Sequence, residues 1–394
     1  MFSSGKANLV DVRKGYKMPK TIYLGHFDNQ DKRVTSPAGI TMMEYIISAI
    51  TRQAGGCVVV SPALSKKEKL AREVVDLDDN VQVIYLASKG NAPKWNFCYR
   101  TIKKLFSKRN LDMELERIVE DNDTLVVYHS LSLMNAVKRI IKKKNVNFVL
   151  QVCEIYSDVI GDKEKRKKEI EFIRQADSYI FSSKMLEEQL NVNKKNYAIC
   201  LGTYNIGEKL TTPLMDDKIH AVYAGTLDSR KGGATAATAA AEHLDENYHI
   251  HILGFGSQDE IDYINNQINK ISKISKCAVT YDGCLSGEEY LKFIQGCHVG
   301  LSTQNPDADF NATSFPSKIL SYLSNGLRVV SIRIPAIETS AVGEHLYFYD
   351  VQTPQEIAKA IISVNISDDK DGRRVVSGLD KQFCLDLRQV LGCK

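Results

Sequence analysis

Residues 220–253, HAVYAGTLDSRKGGATAATAAAEHLDENYHIHIL, decide how the chain folds. His220–Ala224 is a short run of strand-forming residues. It enters a turn at Gly225–Ser229, and an alanine-rich stretch over Arg230–His243 then reads as a helix. His249–Leu253 is a second apolar run of strand length. A strand, a covering helix and another strand in so short a span predict parallel pairing with the helix across one face.

The same alternation extends both ways. Upstream, strands are expected at Thr21–Gly25, Gly56–Val60, Val81–Leu86, Thr124–Tyr128, Phe148–Cys153 and Ser178–Phe181. Helices are expected at Ala38–Arg52, Trp95–Ser107, Leu131–Lys144 and Lys163–Ala176. Downstream, the helix Asp259–Ile271 precedes a strand at Val279–Tyr281. Ser286-Gly287-Glu288-Glu289 reads as a capping box opening a helix to Gln295. A strand at Val299–Ser302, a helix at Phe315–Asn325 stopped by Gly326, and a strand at Leu327–Ile332 follow. Thr353-Pro354-Gln355-Glu356 opens another helix, and Leu379–Leu391 reads as a last one. Such a chain is α/β, with parallel sheets covered by helices.

Gly202 through Asp217 breaks the pattern with Gly202, Gly207, Pro213 and three acidic residues. It is the expected linker between a domain at 1–204 and one at 205–378, with a terminal helix over 379–394. The length of 394 residues suits two domains. In open parallel sheets ligands sit beyond the carboxyl ends of the strands.

A composition of 43% hydrophobic and 25% charged residues is globular. No apolar run approaches the ~20 residues of a membrane span, and the polar N-terminus has no signal-peptide core. The expected location is therefore cytoplasmic. The nine cysteines show no CxxC and no metal-ligand spacing, and are expected to be reduced thiols. Residues 1–205 carry 34 Lys and Arg against 24 Asp and Glu, a net +10, whereas residues 206–394 carry 18 against 24, a net −6. Basic runs at Lys103–Arg109, Lys138–Lys144 and Lys163–Lys168 are either solvated helix faces or a surface for an anionic partner such as a lipid headgroup. Apart from Phe106 no aromatic residue lies within them, so they lack the interleaving of a single-strand binder, which argues against nucleic acid.

Three segments are chemically suggestive. Tyr223-Ala224-Gly225-Thr226-Leu227-Asp228-Ser229-Arg230-Lys231-Gly232-Gly233 runs from a strand through two cations and two glycines into a helix, a pattern suited to phosphate. In Phe310–Gly326, Thr313 or Ser314 can cap a helix with Pro316 in its first turn. Backbone amides near Ser314–Ser317 would then form an anion hole beside Lys318. Gly254-Phe255-Gly256-Ser257 begins like a dinucleotide fingerprint, but position 259 is Asp, which leaves a loop able to cradle a base or ribose. His26 and His129 each end a strand, where a histidine can bind sugar hydroxyls or move protons. P-loop, HExxH and GxSxG patterns are missing, which removes those chemistries.

At these residues the chain resembles the retaining GT-B glycosyltransferases that carry a "glycosyl transferases group 1" C-terminal domain. The resemblance rests on AGTLDSRKGG, HILGFGS, VTYDGCLSGEEYLKFIQGCHVGLST and above all SFPSKILSYLSNGLRVVS, between about His220 and Ile362. It implies two Rossmann-like domains and sugar transfer with retention, from a nucleotide-sugar donor to a saccharide or lipid-linked acceptor. Branches with the last motif build cell-surface polysaccharides. No cofactor and no metal are implied, because the nucleotide-sugar is itself a substrate. The resemblance carries diphosphate binding onto Gly225, Thr226, Arg230, Lys231, Ser314, Phe315, Pro316, Ser317 and Lys318. Nucleoside contacts fall on Gly254, Phe255, Gly256, Ser257, Asp282, Gly283 and Ser321, within base-binding loops at Gly254–Ser257 and Tyr281–Cys284. His129 and Asp309 take the catalytic positions.

Two departures stand out: Thr226 occupies a position that is Arg in many members, and Ser321 one that is usually a ribose-binding Glu. They keep open a non-catalytic partner subunit. A sugar-nucleotide 2-epimerase shares the fold, but the sequence offers no acid–histidine cluster for its chemistry.

Overall fold

The computed structural model describes residues 19–90, 97–214, 216–229, 232–306, 315–367 and 371–393, with backbone alone over 97–104. The chain forms two compact units. One takes the chain up to Ser182, Leu186–Cys200 and everything from Phe383 on; the other takes Ser183–Met185 and Leu201–Gln382.

The first unit is built on strands β1 (Thr21–Leu24), β2 (Cys57–Ser61), β3 (Glu73–Asp78), β4 (Val81–Tyr85), β5 (Thr124–Tyr128), β6 (Asn147–Val152), β7 (Ser178–Phe181) and β8 (Tyr197–Ile199). Its helices are α1 (Pro37–Ala54), α2 (Phe97–Ile118), α3 (Met134–Lys143), α4 (Tyr156–Val159), α5 (Lys163–Ile173) and α6 (Lys184–Leu190). The sheet order is β3-β4-β2-β1-β5-β6-β7-β8, parallel except for β3, which runs antiparallel to β4. The connections leaving β1 and β5 go to opposite sides, so the switch point lies between those two strands.

Local chemistry sets the boundaries. Ser36 accepts from the Gly39 amide and Pro37 opens α1, which ends where Gly55 turns to φ +76°. Ile22, Leu24, Leu125, Val127, Phe148 and Leu150 bury one sheet face beneath Leu111, Val137, Ile140 and Phe172. Helix α3 packs against α2 and α5, so the three basic runs lie on neighbouring helices. Some of those cations are already paired: Arg139 with Asp112, Lys143 with Glu116, Lys165 with Asp162 and Arg166 with Asp158.

The second unit carries β9 (Ile219–Thr226), β10 (Tyr248–Phe255), β11 (Ala278–Gly283), β12 (Val299–Ser302), β13 (Arg328–Ile332) and β14 (Tyr347–Tyr349). Helices α7 (Gly233–Ala240), α8 (Gln258–Ile271), α9 (Gly287–Gly296), α10 (Lys318–Ser324), α11 (Pro335–Glu338) and α12 (Pro354–Ile362) connect them, and α13 (Gly372–Val390) follows. The order β11-β10-β9-β12-β13-β14 is wholly parallel and is the doubly wound Rossmann order, with its switch point between β9 and β12. The end of α13 belongs to the first unit, where Thr124, Asn147 and Ser178 bond the carbonyls of Val390 and Leu391.

Two expected helix starts are corrected. Helix α10 begins at Lys318, not Phe315: Pro316 lies ahead of the cap, and the Ser317 side chain makes no capping bond because its backbone is already helical. Ser286 makes no capping box either, since Gly287 at φ +57° turns the chain there. A true box occurs at Ser257 with Glu260, opening α8. The arginine-started helix begins instead at Gly233, behind a left-handed Gly232. Strand β3 is an addition; it mixes Val74, Val75 and Leu77 with three acidic residues and is almost wholly exposed.

Candidate functional site

At the carboxyl end of β9 in the second unit, the chain passes Gly225 and Thr226 into a turn. The Tyr223 hydroxyl donates to the Thr226 carbonyl at 3.0 Å, and the Thr226 hydroxyl accepts from the Asp228 amide at 3.2 Å. Thr226 thus shapes the turn at the position where the resemblance would place an arginine. The Lys318 ammonium, from the first residue of α10, lies 3.9 Å from the centre of the Tyr223 ring. A Cβ on Gly225 would stand 3.0 Å from that nitrogen, so the glycine leaves the lysine its place. The two phosphate-compatible segments are therefore joined by one ammonium within a single unit. Burial pushes the Tyr223 hydroxyl up to about 12, so it stays a neutral donor.

Other contacts fix this corner. The Tyr322 hydroxyl, wholly buried on α10, accepts from the Ala224 amide at 2.8 Å and reaches the Leu301 carbonyl at 3.4 Å. Its ring fits against β12 only because Gly300 has no side chain; a Cβ there would come within 2.3 Å of it. The Thr303 hydroxyl, just beyond β12, donates to the Gly233 carbonyl at 2.8 Å and ties the switch point to α7. Gly233 lies against the Tyr223 ring, where a Cβ would meet it at 2.7 Å. Sequence reasoning gave no role to Tyr223, Tyr322 or Thr303, although the first two lie within the candidate segments. The only signal was the tyrosine in the SKILSYL motif, paired with a glycine in another strand.

The expected nucleoside residues divide. Gly254 packs so close to β9 that a Cβ would sit 1.8 Å from the Gly225 carbonyl oxygen. Phe255 is 65% exposed beside it, an aromatic face open to a planar ligand. Gly256 and Ser257 serve the start of α8, where both the Ser257 amide and hydroxyl donate to Glu260. Asp282 is turned to His251 and Thr280, so its carboxylate is already engaged by the protein. Gly283 adopts φ +81°, a conformation that favours glycine. The Ser321 hydroxyl is 3.5 Å from that of Tyr290. Phe315 is buried, while Pro316 is half-buried and Ser317 exposed. Arg230, Lys231, Asp309 and Ser314 lie outside the described residues.

In the first unit, His26 and His129 both lie at the switch point between β1 and β5. The His26 ring bonds the Ser132 hydroxyl at 2.9 Å, and burial lowers its pKa. His129 is only 1% exposed, and its Nε2 is 2.7 Å from Glu169 Oε1. Glu169 also accepts from the Tyr156 and Ser157 amides. Burial would raise this carboxyl, but the hydrogen bonds from His129 and Ser157 outweigh it and hold its pKa below the ordinary value. His129 Nδ1 has no hydrogen-bond partner among the described residues. The imidazole is thus part of a buried pair with one nitrogen uncommitted.

Among the described residues, the group able to hold a metal is His220, His249 and His251, at the amino-terminal half of β9 and β10 and so away from the lysine corner. No helix among the described residues is long and apolar enough to cross a membrane.

No protein-family profile and no curated protein sequence matches the chain. Solved structures resemble it over nearly their whole length. The apo structure of OtsA is 12% identical, with 95% of this chain and 98% of that chain covered, at a TM-score of 0.61. A trehalose-6-phosphate protein from E. coli bound with UDP-2-fluoro glucose is 11% identical, with 95% and 97% covered, at 0.61. A UDP-forming α,α-trehalose-phosphate synthase from Burkholderia xenovorans is 11% identical, with 95% and 99% covered, at 0.62. At such identity the likeness establishes the fold, which is α/β with two Rossmann-like parallel-sheet domains, the GT-B class.

Proposed function

We propose that the chain is a nucleotide-sugar-dependent glycosyltransferase acting with retention, and that the donor's diphosphate binds at the carboxyl ends of β9 and β12. The observation that carries this reading is Lys318, whose ammonium is seated over Gly225 and the Tyr223 ring at the switch point. Negative charge grows on the nucleoside diphosphate as it leaves. A lysine fixed there, with the amide end of α7 beside it, favours that state over the intact donor. Phe255 offers a face for the base. A similar fold holding UDP-2-fluoro glucose supports the donor class.

The acceptor is a saccharide or a lipid-linked sugar, as expected for polysaccharide synthesis. The adjacent basic helices α2, α3 and α5 would rest on an anionic membrane surface that carries it. The experiment is incubation of the purified chain with UDP-, GDP- and dTDP-sugars, followed by NMR. Slow donor hydrolysis or transfer with the anomeric configuration kept supports the proposal. Isomerisation points to an epimerase, and binding without turnover to a partner subunit.

A further inference from the structure

Four of the chain's eight histidines, His220, His249, His251 and His298, gather in one cluster in the second unit. His220 in β9 stands opposite His249 in β10, and His251 stands opposite Thr280 in β11. The His249 and His251 rings stack with centroids 3.9 Å apart, and His220 stacks on His251 at 5.2 Å. One ring nitrogen from each of His220, His249 and His251 lies within 4.8 Å of the others. His298 is a support, its Nδ1 accepting the His220 amide at 3.1 Å.

The protons on these rings are fixed by their outer partners. His220 Nε2 faces Asp216 Oδ1 at 2.9 Å, and His251 Nδ1 faces Asp282 Oδ2 at 3.1 Å. An ionised carboxylate only accepts, so each of these nitrogens carries the hydrogen. The Thr280 hydroxyl donates to Asp282, so its oxygen accepts from His249 Nε2 at 3.0 Å. Every imidazole therefore spends its one neutral-state proton outward. What remains inward are lone pairs, and His220 Nδ1 and His251 Nε2 stand 2.8 Å apart. Two bare lone pairs at that distance repel unless a positive centre joins them.

A single extra proton would satisfy that one pair and leave His249 unused. A metal ion engages all three. An outer N–H held by a carboxylate or hydroxyl is the arrangement that orients metal-bound histidines. We propose that His220, His249 and His251 bind one divalent transition-metal ion of the imidazole-preferring kind, such as Zn²⁺ or Co²⁺, through these inward nitrogens. Tetrahedral binding at about 2.0–2.1 Å per nitrogen places ligand atoms roughly 3.3 Å apart, so modest ring rotations suffice. Half-buried His249 and Asp282 leave an approach from solvent. The ion would tie β9 to β10, with β11 attached through Thr280 and Asp282, independently of the donor site.

The test uses tag-free full-length chain, stripped with a chelator and titrated with Co²⁺ and Zn²⁺. Expected are one equivalent bound, visible cobalt bands of a tetrahedral nitrogen site without thiolate charge transfer, and a higher melting temperature with metal. His249→Gln, at a half-buried position, should weaken binding at least 100-fold while the metal-free protein melts as before. Thr280→Val, which removes the outer partner of His249, should weaken it about 10- to 100-fold. Absence of stoichiometric binding, thiolate charge-transfer bands, or unchanged affinity in both variants would overturn the proposal.

Discussion

Replacing Lys318 with Met keeps most of the side chain's length and apolar stem and removes only the charge. In the structure that charge lies 3.9 Å from the Tyr223 ring centre, at the turn that follows β9. A charge-assisted hydrogen bond to a phosphate oxygen contributes about 1.5–3 kcal/mol. At about 1.4 kcal/mol per decade this is roughly a 10- to 150-fold loss of nucleoside-diphosphate affinity. The cost to folding is smaller. The lost cation–π contact contributes about 0.5–1 kcal/mol at a partly exposed site, which shifts the melting temperature by no more than about 4 °C in a domain of this size. Gly225→Ala should act in the same direction, because its Cβ would stand 3.0 Å from the ammonium, and the flexible tip can move aside without disturbing the fold. Titration calorimetry with UDP and GDP, alongside thermal melts, reads both effects. Wild-type affinity in both folded variants would refute the assignment of the diphosphate to this corner.

Gly254→Ala should cost at least about 2 kcal/mol of stability, because its Cβ would fall 1.8 Å from a backbone oxygen of β9 and the strands must part; a urea midpoint equal to wild type would refute this. Glu169 has a depressed pKa, so its contribution is full above the unfolded carboxylate range and is lost as pH falls through the lower folded value. Glu169→Gln should therefore be less stable than wild type by about 1–3 kcal/mol at neutral pH, with the gap closing below roughly pH 4; a gap constant with pH in urea melts would contradict the pairing. The chain should sediment with anionic vesicles at low salt, remain in solution with neutral ones, and lose binding when Lys142, Lys143 and Lys144 become Glu; equal partitioning to both vesicle types would sink the membrane proposal.

Much of the fold was legible because its strands and helices carry strong periodic patterns. The parallel strands are short apolar runs, and the helices between them have one apolar face. What the sequence hid was mostly non-local. Nothing near Tyr322 indicates that its hydroxyl will meet the Ala224 amide, or that Gly300 will admit its ring. Strand β3 is exposed, and its Val74, Val75 and Leu77 are diluted by three acidic residues, so its pattern is weak. The start of α10 was misplaced because Pro316 suits a first helical turn as well as the residue before a cap. Lys318 was visible as a motif residue, but its seat on Tyr223 needed three dimensions. Asp282 was expected among the nucleoside contacts because the family resemblance places a base-binding loop at Tyr281–Cys284. It occupies the irregular step where β10 and β11 shift register, and there it meets His251. The histidine group was invisible for the same reason, since only strand register brings residues of β9 and β10 together.

The most direct test of the account is a crystal structure of the chain soaked with UDP. The diphosphate is expected at the carboxyl ends of β9 and β12, with a phosphate oxygen within hydrogen-bond distance of the Lys318 ammonium and the uracil against Phe255. A well-ordered UDP bound elsewhere, with Lys318 still resting on the Tyr223 ring and touching no phosphate, would contradict it.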